Sequence, residues 1–165
     1  MRGLLVIGHG SRRDTANATV RTLARLFAQA DRATNDGQIS WDAVEPAFLE
    51  LIEPDIAAGY GILAAAGCTE IVAHPFFLFE GNHTTHDIPA ALTRAQERFP
   101  GTRWHLTAPL GLHPGVLTAV ASRIEDTLAS NQLSGPGGSP GSAATGASAV
   151  SGASAVSATG PRSRR

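Results

Sequence analysis

The stretch TEIVAHPFFLFEGNHTTHDIP, residues 69–89, combines a strand, a loop and the start of a helix. The segment 69–79 is mostly apolar and predicts a strand buried in a parallel sheet. The rest is polar, with two histidines, two carboxylates and a glycine in close succession. Asp87 is predicted to cap the next helix, with Pro89 in its first turn and Pro100 at its end. These residues therefore predict one strand, a polar loop and one helix.

The same alternation of strand and helix recurs along the chain. Strands are predicted at 3–7, 39–49, 69–79 and 102–108, and helices at 11–30, 54–66, 87–99 and 114–129. The first helix is expected to begin at Ser11 with Asp14 as its capping partner, and Pro54 is expected in the first turn of the second helix. Four alternating pairs predict an α/β fold, with a single doubly wound, mainly parallel four-stranded sheet covered by helices on both faces.

One such domain is predicted to span residues 1–132. From 133 to 165 the chain consists almost wholly of Gly, Ser, Ala, Pro and Thr, and the hexapeptide GASAVS occurs twice between 146 and 157. This composition offers too little apolar surface to offset the entropy that ordering would cost. We therefore predict that residues 133–165 form a disordered tail.

The charged residues exclude several classes of function. Three of the 13 basic residues and none of the 14 acidic ones lie in the tail, so residues 1–132 carry a formal charge of −4. An acidic domain is a poor surface for nucleic acid. Every basic residue is arginine. The absence of lysine excludes Schiff-base chemistry and a phosphate loop that ends in Gly-Lys.

Cysteine content and the opening residues limit the compartment and the metal chemistry. Cys68 is the one cysteine, which excludes an intrachain disulfide and a thiolate cluster, and it is predicted to be a small buried residue. The opening MRGLLVIGHG has too few consecutive apolar residues for a signal-peptide core or a membrane span. We predict a soluble, cytoplasmic protein.

Histidines and carboxylates follow the predicted strands. In a parallel α/β sheet, ligands bind beyond the carboxyl ends of the strands. The segments GHGS, FLE, EGNHTTHD and LGLHP all lie there and bring together His9, Glu50, Glu80, His83, His86 and His113. Two or three imidazoles with one carboxylate suit Co, Ni, Fe or Zn better than Mg or Ca. The pattern is thus compatible with a metal site at this edge.

Several histidines and acids of the chain also have a structural explanation. His74 and His105 lie within predicted strands and are expected to be structural. Glu50 and Glu80 are compatible with solvated acids at strand ends. His9 has a glycine on each side, which fits an accessible imidazole and a tight turn equally well. Taken singly, the residues leave open a metal site, a hydrolase site and ordinary loop polarity.

Four motifs occur together in one order. They are GHGSR at 8–12, AFLEL at 47–51 followed by Pro54, PFFLFEGNHTTHDIP at 75–89 and PLGLHP at 109–114. Jointly they resemble the small class II tetrapyrrole chelatases of the CbiX and SirB type. The resemblance implies ATP-independent insertion of Co²⁺, Fe²⁺ or Ni²⁺ into sirohydrochlorin, in sirohaem or cobalamin biosynthesis, without an organic cofactor. It also implies a homodimer, because one lobe fits this chain and single-lobe members of the family pair.

Motif matching assigns roles to three residues, and the charge of the substrate suggests two more. His9 and His83 resemble the metal-binding and catalytic histidines of the family, and Glu50 resembles the acid that assists them. Neutral imidazole, with a pKa of about 6.5, can bind the metal or accept a pyrrole proton. Because the substrate is a polycarboxylate, Arg12 and Ser11 beside the first helix are the predicted substrate contacts.

The resemblance leaves some positions open. Phe77, Leu78 and Phe79 can form an apolar wall for a flat macrocycle, although burial in the sheet is the favoured prediction. Arg13 replaces an acid that often follows GHGSR in the family, and His86 is an additional histidine. The physiological metal, the pathway and the roles of His86, Glu80 and His113 stay open.

Two other functions use the same residues. A metal carrier would bind the ion through these histidines without acting on a macrocycle. A histidine phosphatase would place its nucleophile at His9, but Gly8 stands where that enzyme class has a phosphate-clamping arginine.

Overall fold

The computed structural model describes residues 1–30 and 40–133. Residues Met1–Ile124 form one compact unit, and a second unit begins at Glu125. The tail predicted for 133–165 lies outside the described residues, apart from Leu133 at the end of the last helix. The first residue of the strand predicted at 39–49 is also outside the described residues.

Strands and helices alternate through the described residues. In chain order they are β1 (Arg2–Gly8), α1 (Asp14–Ala30), β2 (Ala43–Phe48), α2 (Ile56–Ala65), β3 (Glu70–Pro75), a π-helix (His83–Asp87), α3 (Ile88–Arg98), β4 (Arg103–Leu106) and α4 (Pro114–Leu133). The sheet has the order β2-β1-β3-β4, and each neighbouring pair is parallel. The predicted doubly wound, parallel α/β fold is confirmed.

Buried side chains form one cluster on each face of the sheet. The cluster on the side of α2 and α3 includes Leu5, Ile7, Tyr60, Leu63, Ile88 and Leu92. The cluster on the side of α1 includes Leu4, Val6, Val20, Ala24 and Phe48. Successive residues of β1 therefore serve opposite faces, which is why residues 3–8 of this central strand are all apolar. Burial of each large side chain contributes about 1.5–3 kcal/mol.

The predicted start of the first helix is wrong. The helix α1 begins at Asp14, because Ser11 lies in a turn that precedes it. The Ser11 backbone N–H donates to Asn17 Oδ1 at 3.0 Å, and the Ser11 hydroxyl accepts from the Arg13 N–H at 3.0 Å. Asn17 is buried. The Asn17 side chain thus accepts the hydrogen bond of the Ser11 N–H, which would have had no partner if Ser11 had begun the helix.

The second helix also starts later than predicted. Asp55 is the N-cap of α2, and its carboxylate accepts from the Ala58 N–H at 2.7 Å. Pro54 therefore precedes the helix and does not occupy its first turn. Its carbonyl instead accepts from the Phe48 N–H at 2.9 Å, which ties this loop to the end of β2.

The strand β3 ends at Pro75, four residues before the predicted end, so all of FFLF (residues 76–79) belongs to a loop. Leu78 and Phe79 are 52% and 77% exposed, and the predicted burial of these two residues in the sheet is wrong. Phe77 is partly buried against the core. Its carbonyl accepts from the Leu110 N–H at 2.9 Å, which links the loop after β3 to the one after β4.

Three structural predictions are confirmed. Cys68 is a buried free thiol. His74 is partly buried, and its Nδ1 lies 2.7 Å from the hydroxyl of Thr107. His105 lies on β4 with Nε2 3.3 Å from Glu70 Oε1.

Among the described residues, no helix has the length and apolar character that a membrane span needs.

Burial makes His74 a source of pH-dependent stability. It lowers the pKa of His74 below the ordinary value of 6.5, so the unfolded chain binds this proton more readily than the folded one. The contribution of neutral His74 is complete above pH 6.5 and decreases as the pH falls below it. We expect His74→Gln to lose less stability than the parent over that acidic range. Urea unfolding at a series of pH values measures this, and parallel curves would contradict it.

Candidate metal centre

Backbone hydrogen bonds join the loops that follow β1 and β2. The Leu49 N–H donates to the Gly8 carbonyl at 2.9 Å, and the Glu50 N–H donates to the His9 carbonyl at 3.1 Å. Gly10 has a φ of +95°, and a Cβ at this position would overlap the carbonyl oxygen of Glu50. Only glycine permits this conformation and this close approach. The backbone itself therefore holds His9 beside Glu50.

The proton on the His9 ring can be assigned from its neighbours. His9 Nδ1 lies 3.2 Å from the Gly10 carbonyl oxygen and 3.3 Å from Glu50 Oε1. A carbonyl and an ionised carboxylate only accept hydrogen bonds, so Nδ1 carries the proton and Nε2 of the neutral ring keeps its lone pair. Both side chains are about half exposed, at 48% and 50%. A bulky ligand can therefore reach Nε2.

A second histidine–carboxylate pair lies in the π-helix. His83 Nδ1 is 2.7 Å from Asp87 Oδ2, which again leaves Nε2 free as a ligand atom. The π-type turn directs the Ile88 N–H to the His83 carbonyl, and such turns are frequent at functional sites. The capping role predicted for Asp87 is wrong, because its side chain makes no cap hydrogen bond to α3. It holds His83 instead.

The two histidines meet at the carboxyl edge of the sheet. Their ring centroids are 5.0 Å apart, and the rings are nearly perpendicular at 79°. The ring of Phe77 lies 6.2 Å from that of His9, on the core side of the loop. Glu50, His83 and Asp87 line a cavity of about 600 Å³ between the β2–α2 loop and α3. Glu50 and the His83–Asp87 pair, which come from segments far apart in the sequence, thus line one cavity.

The structure brings together only part of the predicted set. His9, Glu50 and His83 are close neighbours, although His9, like Ser11 and Arg12, does not itself line the cavity. The other candidates also lie outside its lining. His86 Nδ1 is 2.8 Å from the Thr85 hydroxyl, His113 Nδ1 accepts from the Gly115 N–H at 3.1 Å, and Glu80 is exposed.

Sequence reasoning missed three residues at this site. Asp87 is the partner of His83, and the spacing of four residues within a helical turn was the available signal. Arg94 and Arg98 line the same cavity from α3. The sequence signal for these two arginines was also a spacing of four residues. It could not identify a binding site, because charged residues on a solvated helix face show the same spacing.

The two imidazoles offer nitrogen ligands for a divalent ion. Metal-binding histidines commonly donate their second ring N–H to a carboxylate or carbonyl, as His9 and His83 do here. Within the described part of the chain, no group of three or more His, Cys, Asp or Glu side chains could hold a metal ion. A site with two imidazoles leaves coordination positions open for another molecule.

The fold and the paired histidines define a class of small parallel α/β proteins with an open imidazole site at the carboxyl edge of the sheet. Residues 3–127 match the family model described as CbiX. The chain therefore belongs to the CbiX family, and the resemblance found in its motifs is confirmed.

Known proteins similar to this chain carry chelatase names. The chain is 34% identical over 126 residues to the chloroplastic sirohydrochlorin ferrochelatase of Arabidopsis thaliana, covering 76% of this chain and 52% of that protein. It is 29% identical over 130 residues to the sirohydrochlorin cobaltochelatase of Priestia megaterium, covering 77% and 39%. The solved sirohydrochlorin chelatase SirB from Bacillus subtilis subspecies spizizenii, in complex with cobalt, gives a TM-score of 0.62 at 33% identity, covering 76% and 50%. The chain thus spans about half the length of these relatives, or less.

The Asp87 carboxylate is expected to strengthen metal binding through His83. Asp87→Asn keeps the shape of the side chain but removes its charge, and loss of such a partner weakens metal affinity by about tenfold or more. Titration of the metal-free protein with Co²⁺, followed by visible absorption, measures this. Glu80→Gln makes the same charge change outside the cavity and should leave the affinity unchanged. Equal affinities of Asp87→Asn and the parent would refute the role of the carboxylate.

Proposed function

We propose that this chain is a sirohydrochlorin chelatase that inserts a divalent metal ion into the macrocycle without ATP or an organic cofactor. The observation that carries the proposal is the pair formed by His9 and His83, whose ring centroids are 5.0 Å apart. Each ring has Nδ1 beside an acceptor and Nε2 free. Membership of the CbiX family and relatives with chelatase names support the same reaction.

The chemistry of insertion accounts for an open site. The ion must lose water and pass to four pyrrolic nitrogens, two of which release protons. A protein site with many strong ligands would retain the ion, whereas two imidazoles can hold it and then release it. The half-exposed side chains allow the macrocycle to approach the same face.

The same nitrogen atoms can also receive the protons. Nε2 cannot hold the ion and a proton at once, so each imidazole becomes available as a base when the ion leaves it. One divalent ion enters as two protons leave, which conserves the charge of the macrocycle. Protonation of His9 places an imidazolium beside Glu50, and protonation of His83 places one beside Asp87. Both carboxylates stabilise the cation that forms.

Co²⁺, Fe²⁺ and Ni²⁺ are the proposed metal substrates. Imidazole ligands suit all three ions, and metal supply rather than affinity often selects among them. The names of the relatives include both ferrochelatase and cobaltochelatase. A sirohaem product requires iron and a cobalamin product requires cobalt, so the pathway follows the metal. The cytoplasmic compartment remains a prediction from the sequence.

Metal insertion can be measured directly from the absorption spectrum of the macrocycle. Purified protein is mixed anaerobically with sirohydrochlorin and Co²⁺, Fe²⁺ or Ni²⁺, and the rate is compared with that of the uncatalysed reaction. His83→Ala is expected to lower the catalysed rate by at least about 100-fold, because it removes both a metal ligand and a base. His86→Ala removes a histidine of the same π-helix that does not line the cavity, and should keep the parent rate.

Three results separate the possible functions. Acceleration by the parent with loss in His83→Ala alone supports the chelatase. Metal binding without acceleration for any of the three ions indicates a metal carrier and overturns the proposal. Equal losses in His83→Ala and His86→Ala would remove the special role of His83.

We also propose that the active unit is a homodimer. The motif resemblance to single-lobe chelatases, which pair, implies such a dimer. Three apolar residues of α4, Leu117, Val120 and Ile124, are 56%, 52% and 55% exposed. Their spacing places them on one side of the helix. An exposed apolar stripe of this kind is typical of an interaction surface.

Charge placed in this stripe is expected to break the dimer. Val120→Glu should shift the protein from twice the mass of one chain towards the mass of one chain, as measured by light scattering after size-exclusion chromatography. Ser122→Glu adds the same charge on the opposite side of α4 and should leave the dimer intact. A parent protein with the mass of one chain at assay concentrations would rule the homodimer out.

A further inference from the structure

One wall of the cavity is a single face of α3 together with the residue that precedes the helix. The lining residues on this wall are Asp87, Ala90, Ala91, Arg94 and Arg98. Spacings of three and four residues place them along one side of the helix. At about 1.5 Å per residue, the backbone of Arg94 lies ~10 Å and that of Arg98 ~16 Å along the axis from Asp87. The cavity thus has His83, a proposed metal ligand, near one end and two guanidinium groups farther along the same wall.

The two alanines shape the space between these ends. Ala90 and Ala91 lie between Asp87 and Arg94 on the cavity side. Their short side chains project little into the cavity, so a broad, flat molecule can lie along α3. The opposite wall is formed by the β2–α2 loop and the first turn of α2, including Leu49 and Ile56. These apolar residues suit the face of a macrocycle.

The acids of the cavity are already engaged with other groups. Glu50 lies beside His9, Asp87 is hydrogen-bonded to His83, and the Asp55 carboxylate accepts from the Ala58 N–H. Among the described residues, Arg94 and Arg98 have no hydrogen bond or salt bridge from their guanidinium groups to the protein. Both side chains are exposed. They can therefore bind an anion that enters the cavity.

We propose that Arg94 and Arg98 bind peripheral carboxylates of the tetrapyrrole and thereby orient its central nitrogens towards His9 and His83. This inference rests on the proposed chelatase function. A guanidinium forms paired, charge-assisted hydrogen bonds with a carboxylate, and its planar shape fixes the direction of approach. Arg12, which the sequence favoured for this role, does not line the cavity. The two arginines of α3 thus select a polycarboxylate macrocycle by its rim.

Equilibrium binding of metal-free sirohydrochlorin tests the arginines apart from catalysis. Titration is followed by the absorption change of the macrocycle. Arg94→Gln and Arg98→Gln are each expected to weaken binding by about tenfold, and the double variant by more than either. Arg25→Gln is the matched control, because Arg25 is an arginine of α1 bonded to Thr22 and does not line this cavity. It should bind as the parent does.

Kinetics and salt dependence provide readouts that a purely structural role would not change. The losses in Arg94→Gln and Arg98→Gln should appear in KM for sirohydrochlorin more than in kcat. Added salt should weaken binding by the parent more than binding by the double variant, because the charge pairs are partly exposed. Thermal melting should stay near that of the parent in each variant, since neither side chain is buried.

The outcomes distinguish this inference from the proposed function. If the parent inserts metal and the arginine variants bind sirohydrochlorin as tightly as the parent, the inference is overturned and the chelatase function stands. If the parent binds the macrocycle without inserting metal, and the variants bind it weakly, the inference stands and the proposed function falls. A parent that neither binds sirohydrochlorin nor inserts metal overturns both.

Discussion

The close backbone approach at Gly10 is the constraint on which the site depends. The loops after β1 and β2 continue the hydrogen bonding of the two strands beyond the end of the sheet, through the bonds to the carbonyls of Gly8 and His9. A side chain at Gly10 would collide with the backbone of Glu50. Glycine at this position allows the backbone alone to place His9 next to Glu50, so no side-chain contact is needed to hold the two loops together. The adjacent strand order β1–β3 then brings the loop that contains His83 to the same edge.

In the proposed chelatase, electrostatics would explain how two imidazoles suffice. Each Nδ1 faces an acceptor, so each Nε2 is available as a neutral ligand and each imidazolium is stabilised when it forms. In the proposed reaction, the partial exposure of all four side chains would keep the ion accessible to a large acceptor molecule. The arrangement would therefore favour transfer of the ion over its retention. The arginines of α3 would supply charge of the opposite sign along the same wall.

Periodicity and glycine placement predicted the fold well, because a strand buried on both faces has to be apolar at every position. The predictions failed where a local pattern had two uses. Asp87 precedes a helix and fits a cap, yet its carboxylate bonds to His83 in a π-type turn that no periodicity indicates. Ser11 was displaced from its capping position by the buried amide of Asn17, six residues later. Leu78 and Phe79 continue the apolar run but lie beyond the last paired residue of β3.

By itself, the sequence determined the alternation of elements, the parallel sheet and the histidines at the ends of the first and third strands. These follow from hydrophobic pattern and from rules of chain connection that act over short distances. The tertiary structure decided which polar groups meet: His9 with Glu50, His83 with Asp87, and Arg94 and Arg98 with the same cavity. Those neighbours depend on helix direction and on the path of each loop. Both are set by the packing of the whole domain and have no signature in any single segment.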